Sequence, residues 1–232
     1  MRTKISHIIA AIFLLNVSAS YAEMTRVYHP YVEQHEREIE YGFVLRDPGK
    51  ENVLLNRAGA GYTWNENFFS EIYILTESIT HEKKQVHGYE LELKWQLTEQ
   101  GEYWADWGLL VEAGASRDID SYEIATGLLW EKELSSHWVA AANFIVEYEY
   151  GDDIKNEFEG ALRAQLRYRN SVTFDPAIEL YLDDKDWAVG PAFLGAIKLS
   201  GRKQLRWELG LLFGLDEETP ETSLRGGIEF EF

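Results

Sequence analysis

Residues 223–232 read SLRGGIEFEF. Leu224, Ile228, Phe230 and Phe232 fall at alternate places, with Arg225, Gly227, Glu229 and Glu231 between them. A period of two is the mark of a β-strand with one apolar and one polar face. Only Gly226 breaks the apolar row.

Working back from this strand, the same period recurs through most of the chain. It is cleanest at 86–97, where Tyr89, Leu91, Leu93, Trp95 and Leu97 alternate with Glu90, Glu92, Lys94 and Gln96. The full set of predicted strands is 36–46, 53–64, 68–78, 86–97, 103–116, 122–134, 138–150, 158–169, 173–182, 187–199, 205–215 and 223–232. In 68–78, FFSEIYILTES, two registers fit. Short turns at 65–67, 98–102, 135–137, 170–172 and 200–204 alternate with loops at 47–52, 79–85, 117–121, 151–157, 183–186 and 216–222 that are on average longer and more charged. One class of connection at each end is the connectivity of an antiparallel up-and-down meander. The fold expected for 36–232 is an all-β, twelve-stranded closed barrel.

Composition narrows the function. The 232 residues include no cysteine, which removes disulfides and thiolate chemistry. The formal charge of −18 argues against a nucleic-acid partner, because phosphates need clustered Lys and Arg. Residues 1–22 have a basic start at Arg2 and Lys4, a short apolar run at 8–15, and small residues ahead of Glu23. That is the pattern of a cleavable signal peptide. Its removal would take away two cations and no acid, making the mature charge −20. Residues 23–35, EMTRVYHPYVEQH, are expected to form a periplasmic N-terminal tail.

Alternation alone does not say where the apolar face points, and a secreted soluble barrel or sandwich would alternate too. Three features favour a membrane. The strands run longer than the usual five or six residues of soluble sheets. Aromatic residues gather near strand ends on the apolar face, among them Tyr62, Trp64, Tyr89, Trp95, Tyr122, Trp138 and Trp187, as interfacial girdles do. The opposite face mixes Gly with Glu, Arg and Gln, as a wet lumen does.

On these residues the chain resembles the outer-membrane β-barrel proteins of Gram-negative bacteria, in the small, twelve-stranded, porin-like class. The resemblance implies residence in the bacterial outer membrane amid lipid and lipopolysaccharide, both termini periplasmic, and a monomer. It also implies that the final strand, with Phe232, Phe230 and Ile228, is read by the barrel-assembly machinery. Members of that class include small-solute channels and a phospholipase. It implies no cofactor.

The candidate lumen-lining residues are Arg163, Arg167 and Arg169 on one face of the eighth strand, with Glu147, Glu149, Glu179, Arg206 and Glu208 on others. An arginine row facing acids sorts solutes by charge. The plainer reading is that these charges pair across a narrow barrel and fill it. The spacing of His29, His35, His81 and His87 fits no zinc pattern. No Ser–His set lies on the outward faces, and the aspartates at 152–153 and 183–186 read as turn formers. The expected function is a narrow channel for small solutes, not an enzyme. The alternatives are a plugged barrel with a structural or adhesive role and, further off, an outer-membrane hydrolase. The topology predicts that cysteines placed at Asp153 and Asp184 are labelled by an impermeant maleimide on intact cells, while one at Ser136 stays protected; the reverse pattern inverts the orientation.

Overall fold

The computed structural model describes residues 26–47, 52–79, 85–184 and 186–232. The predicted signal peptide and His81 lie outside these residues. Twelve strands follow in chain order: β1 (Arg37–Asp47), β2 (Val53–Asn65), β3 (Phe68–Ile79), β4 (Gln85–Gln96), β5 (Asp106–Ser116), β6 (Tyr122–Glu133), β7 (Trp138–Tyr150), β8 (Glu157–Tyr168), β9 (Asp175–Asp183), β10 (Trp187–Lys198), β11 (Gln204–Gly214) and β12 (Thr222–Glu231). Each pairs antiparallel with its chain neighbours, and β1 pairs with β12, so the sheet is a closed barrel. Closure leaves no strand with a free edge.

The final strand does what its pattern predicts. Ile228 lies opposite Tyr41, and Glu229 opposite Glu40. The amide of Phe232 donates to the carbonyl of Arg37 at 2.9 Å. Gly226 has a steric reason: a Cβ there would come within 2.7 Å of the Phe43 ring, which covers it from the neighbouring strand. The ambiguous third strand is settled as well. Phe69, Glu71, Tyr73 and Leu75 face inward and are buried, whereas Ile72 and Ile74 face out.

The apolar face is the outer one. Ile72 is 64% exposed, and Ile39, Leu91, Ile124, Phe144, Ile178 and Ile228 are exposed around the barrel. Exposed aromatic residues cluster at both ends. At the short-turn end Tyr62 packs edge-on to Trp64, and Trp138 edge-on to Tyr168; at the long-loop end Tyr122 stacks on Tyr150, and Tyr148 packs against Phe158. A belt of this extent is far larger than the apolar patches that water-soluble monomers expose.

The segment before β1 departs from expectation. The sequence reading sets 23–35 outside the barrel, as a periplasmic tail. The described part, 26–35, instead runs inside the wall. Val27, Tyr28 and Val32 are buried there. The chain reverses at His35, whose φ of 63° lies in the left-handed region, and then enters β1. The physical reason lies in the segment's own residues: two valines and two tyrosines gain more inside than in water, provided their backbone groups find partners.

If lipid covers the belt, Ile72→Arg near the middle of β3 should destabilise the barrel by about 2–4 kcal/mol in denaturant titrations in vesicles. A soluble barrel would tolerate the change at this exposed site.

Candidate functional site: the occupied lumen

The inward face carries the charge, and the N-terminal segment threads through it from the short-turn end. Asn143 of β7 reads the backbone of Tyr28 twice. Its Oδ1 accepts from the Tyr28 amide at 2.7 Å, and its Nδ2 donates to the Tyr28 carbonyl at 2.9 Å. Farther along, the Val32 amide donates to Oε1 of Gln96 at 2.8 Å. These contacts meet the condition for burying main chain. Gly108 makes room for Pro30, since a Cβ there would lie 3.0 Å from the proline Cα and Cβ.

The side chains of the segment dock on acids. Arg26 forms an ion pair with Glu40. The Tyr28 hydroxyl lies between two carboxylates, 2.9 Å from Glu92 and 3.0 Å from Glu112. His29 Nδ1 sits 2.5 Å from Glu131, and the Tyr31 hydroxyl donates to Asp106 at 2.7 Å. Val27 packs with Ala141, Tyr181, Ala188 and Leu212, and Tyr28 packs with Leu110 and Leu129. Burial, reinforced by Glu131, holds the Tyr31 phenol above its ordinary range. At the base of the segment, burial, then Glu229 and Glu33, push the Glu36 carboxyl up to about 7.

Two wall networks hold the rest of the middle. Arg225, fully buried, pairs with Glu179 and lies 3.0 Å from Glu208. Gln165 and the Tyr181 hydroxyl also donate to Glu179. On the other side Arg57 lies 3.4 Å from both Glu40 and Glu92, with its guanidinium 3.7 Å from the centre of the Tyr73 ring. Towards the short-turn end the lumen widens into a cavity of about 790 Å³, lined by Glu36, Glu38, Lys94, Arg167, Arg169 and Arg206, among others.

The structure scatters the predicted arginine row. Arg163 is buried on the inward face of β8. Arg167 lines the wide cavity, and Arg169 pairs with Glu133 at the rim. Arg206 joins Glu33 of the segment to Glu229 and Glu231. Glu147 and Glu149 are buried on β7, and Glu208 holds Arg225. Sequence reasoning missed Arg26, Tyr28, Arg57, Tyr73, Gln96 and Asn143. Of these only Tyr28 carried a signal, as an aromatic residue in a segment assigned to a periplasmic tail. Of the histidines, His29 meets Glu131, His35 makes the turn, and His87 lies 3.5 Å from Glu77.

No protein-family model and no curated protein significantly matches the chain. Solved structures do. The chain is similar to the KdgM porin in complex with disordered oligogalacturonate, with a TM-score of 0.58 and 11% identity over 84% of this chain and 99% of that one. It is similar to the NanC porin, with a TM-score of 0.57 and 11% identity over 84% and 100%. An outer-membrane channel from Pseudomonas putida F1 gives a TM-score of 0.58 and 13% identity over 90% and 97%. At such identities the likeness is one of fold: this chain shares the architecture of small outer-membrane channels over nearly their full length.

Replacing Asn143 by Leu, which keeps the branched shape without the amide, leaves both Tyr28 backbone groups unpaired, at a cost of about 1–3 kcal/mol. Hydrogen exchange at the Tyr28 amide should rise roughly five- to a hundredfold, while amides in β10 stay protected.

Proposed function

We propose that the protein is a monomeric barrel of the bacterial outer membrane, assembled through its final strand, that passes small solutes and is closed at rest by its own N-terminal segment. The observation that carries this reading is the place of the segment in the lumen. A cavity of about 790 Å³ lies toward the short-turn end, and the segment lines it from Arg26 to Glu36. The wall around it is polar and charged, as a solute path requires. What lies there is a segment, 26–35, that belongs to no strand and turns into β1 at His35. The apolar belt and its aromatic ends support the membrane setting, and the architecture shared with channels supports transport rather than catalysis.

A second reading has its own support. Arg225, Glu179, Tyr181 and Leu212 pack the middle of the wall to nearly zero exposure. A barrel that stays filled at this level has a structural or adhesive role.

The two readings separate in planar bilayers. The chain has no cysteine of its own, so the pair Val27→Cys and Ala141→Cys, drawn from one packed cluster, can tie the segment to β7. Under reduction the variant should show single-channel steps like those of the unaltered chain; under oxidation they should cease. Absence of steps from both the unaltered chain and the reduced variant overturns the channel and favours the filled barrel.

A further inference from the structure

The site that the segment fills has a chemistry of its own. Glu40, Glu71, Glu90, Glu92 and Glu112 are all buried, and each lies within 4.8 Å of at least two other carboxylates through its ligand atoms. Two buried cations of the wall share this inward face: Arg57, 3.4 Å from both Glu40 and Glu92, and Arg163 of β8. Buried like charges on this scale are tolerated only with counter-charge. The third cation, Arg26, comes from the segment. Two further observations point to an occupant. Oε1 of Glu90 and Oε2 of Glu112 are buried without a hydrogen-bond partner. The occupant now present is itself a cation followed two residues later by a phenol, the first on Glu40 and the second between Glu92 and Glu112.

When the segment leaves, these carboxylates lose a guanidinium and a hydrogen-bond donor together. A replacement that brings positive charge and a donor restores what they lose. We propose that the constriction is a binding site for organic cations bearing a guanidinium or ammonium group beside an aromatic one, and that such a solute competes with Arg26 and Tyr28 for it. The inference rests on the channel reading and deepens it: the solute that the acids hold is also the one that displaces the closure. Linkage makes the two effects reciprocal, because a ligand that binds only the segment-free state shifts the population toward that state.

Two measurements test this, one of them without conduction. In detergent, the unaltered chain is mixed with acetyl-Arg-Val-Tyr-amide or with acetyl-Glu-Val-Tyr-amide. The arginine peptide should raise hydrogen exchange at the Tyr28 amide severalfold, and the glutamate peptide should leave it unchanged. Equal responses, or none, overturn the site whatever the bilayer shows. In bilayers under a roughly tenfold KCl gradient, the reversal potential should favour cations by about fivefold or more, and Glu92→Gln with Glu112→Gln should bring the ratio toward unity. Currents that prefer anions overturn the inference while leaving the channel intact. A lack of current together with the peptide effect on exchange removes the channel reading and keeps the cation site.

Discussion

The structure turns on counter-charge in a confined space. Once β1 and β12 pair, every strand presents one face outward, and that face is apolar. The polar half of each strand is thereby committed to the interior. A barrel of twelve strands gives that interior little room. Carboxylates from strand after strand meet there, and each must find a cation or a donor because bulk water does not reach the middle. Arg225 answers for Glu179 and Glu208, Arg57 for Glu40 and Glu92, and Tyr73 donates to Glu71 and Glu40. To the wall's own cations the N-terminal segment adds Arg26, paired with Glu40, and the Tyr28 hydroxyl as a donor.

Most of the barrel was legible because its signal is local. Alternation, turn residues and loop lengths name twelve strands, with boundaries within a residue or two for all but β5, whose predicted start is three residues early. Residues 103–105 read as strand because Tyr103 and Trp104 continue the apolar character. They lie in the turn, exposed, with Trp104 beside Trp130. The inward faces of β7, β8 and β9 were legible for the same reason, and Arg163, Glu147 and Glu179 are where the pattern puts them.

The partners of those residues were not legible. Register fixes which residues face inward, not which meet across the lumen, and Arg225 reaches Glu179 from three strands away. The segment 26–35 was harder still, because it has no period to read. Its docking rests on Asn143 and Gln96, whose amides are unremarkable in sequence, and on the absence of a side chain at Gly108. The arginine row of β8 faces the lumen, but its three members do not act as a unit. Three cations on one strand face look like one feature, yet the strand carries them from the middle of the lumen to its rim, and each meets a different environment.

A wall residue and a segment residue fill space in different ways. Arg225 is held by the pairing of β12 with two neighbours, so removing it from Glu179 means opening the barrel. Arg26 makes an ion pair of similar kind, but its backbone belongs to no strand and is anchored by side-chain amides that close back on nothing when it leaves. The free energy of withdrawing it is that of a handful of hydrogen bonds, a few apolar contacts and the uncompensated acids, set against the conformational freedom of about ten released residues. Opposed contributions of similar size are what a two-state element needs. The acids therefore act twice: they favour the segment while no other cation is at hand, and they raise the affinity of any cation that takes its place.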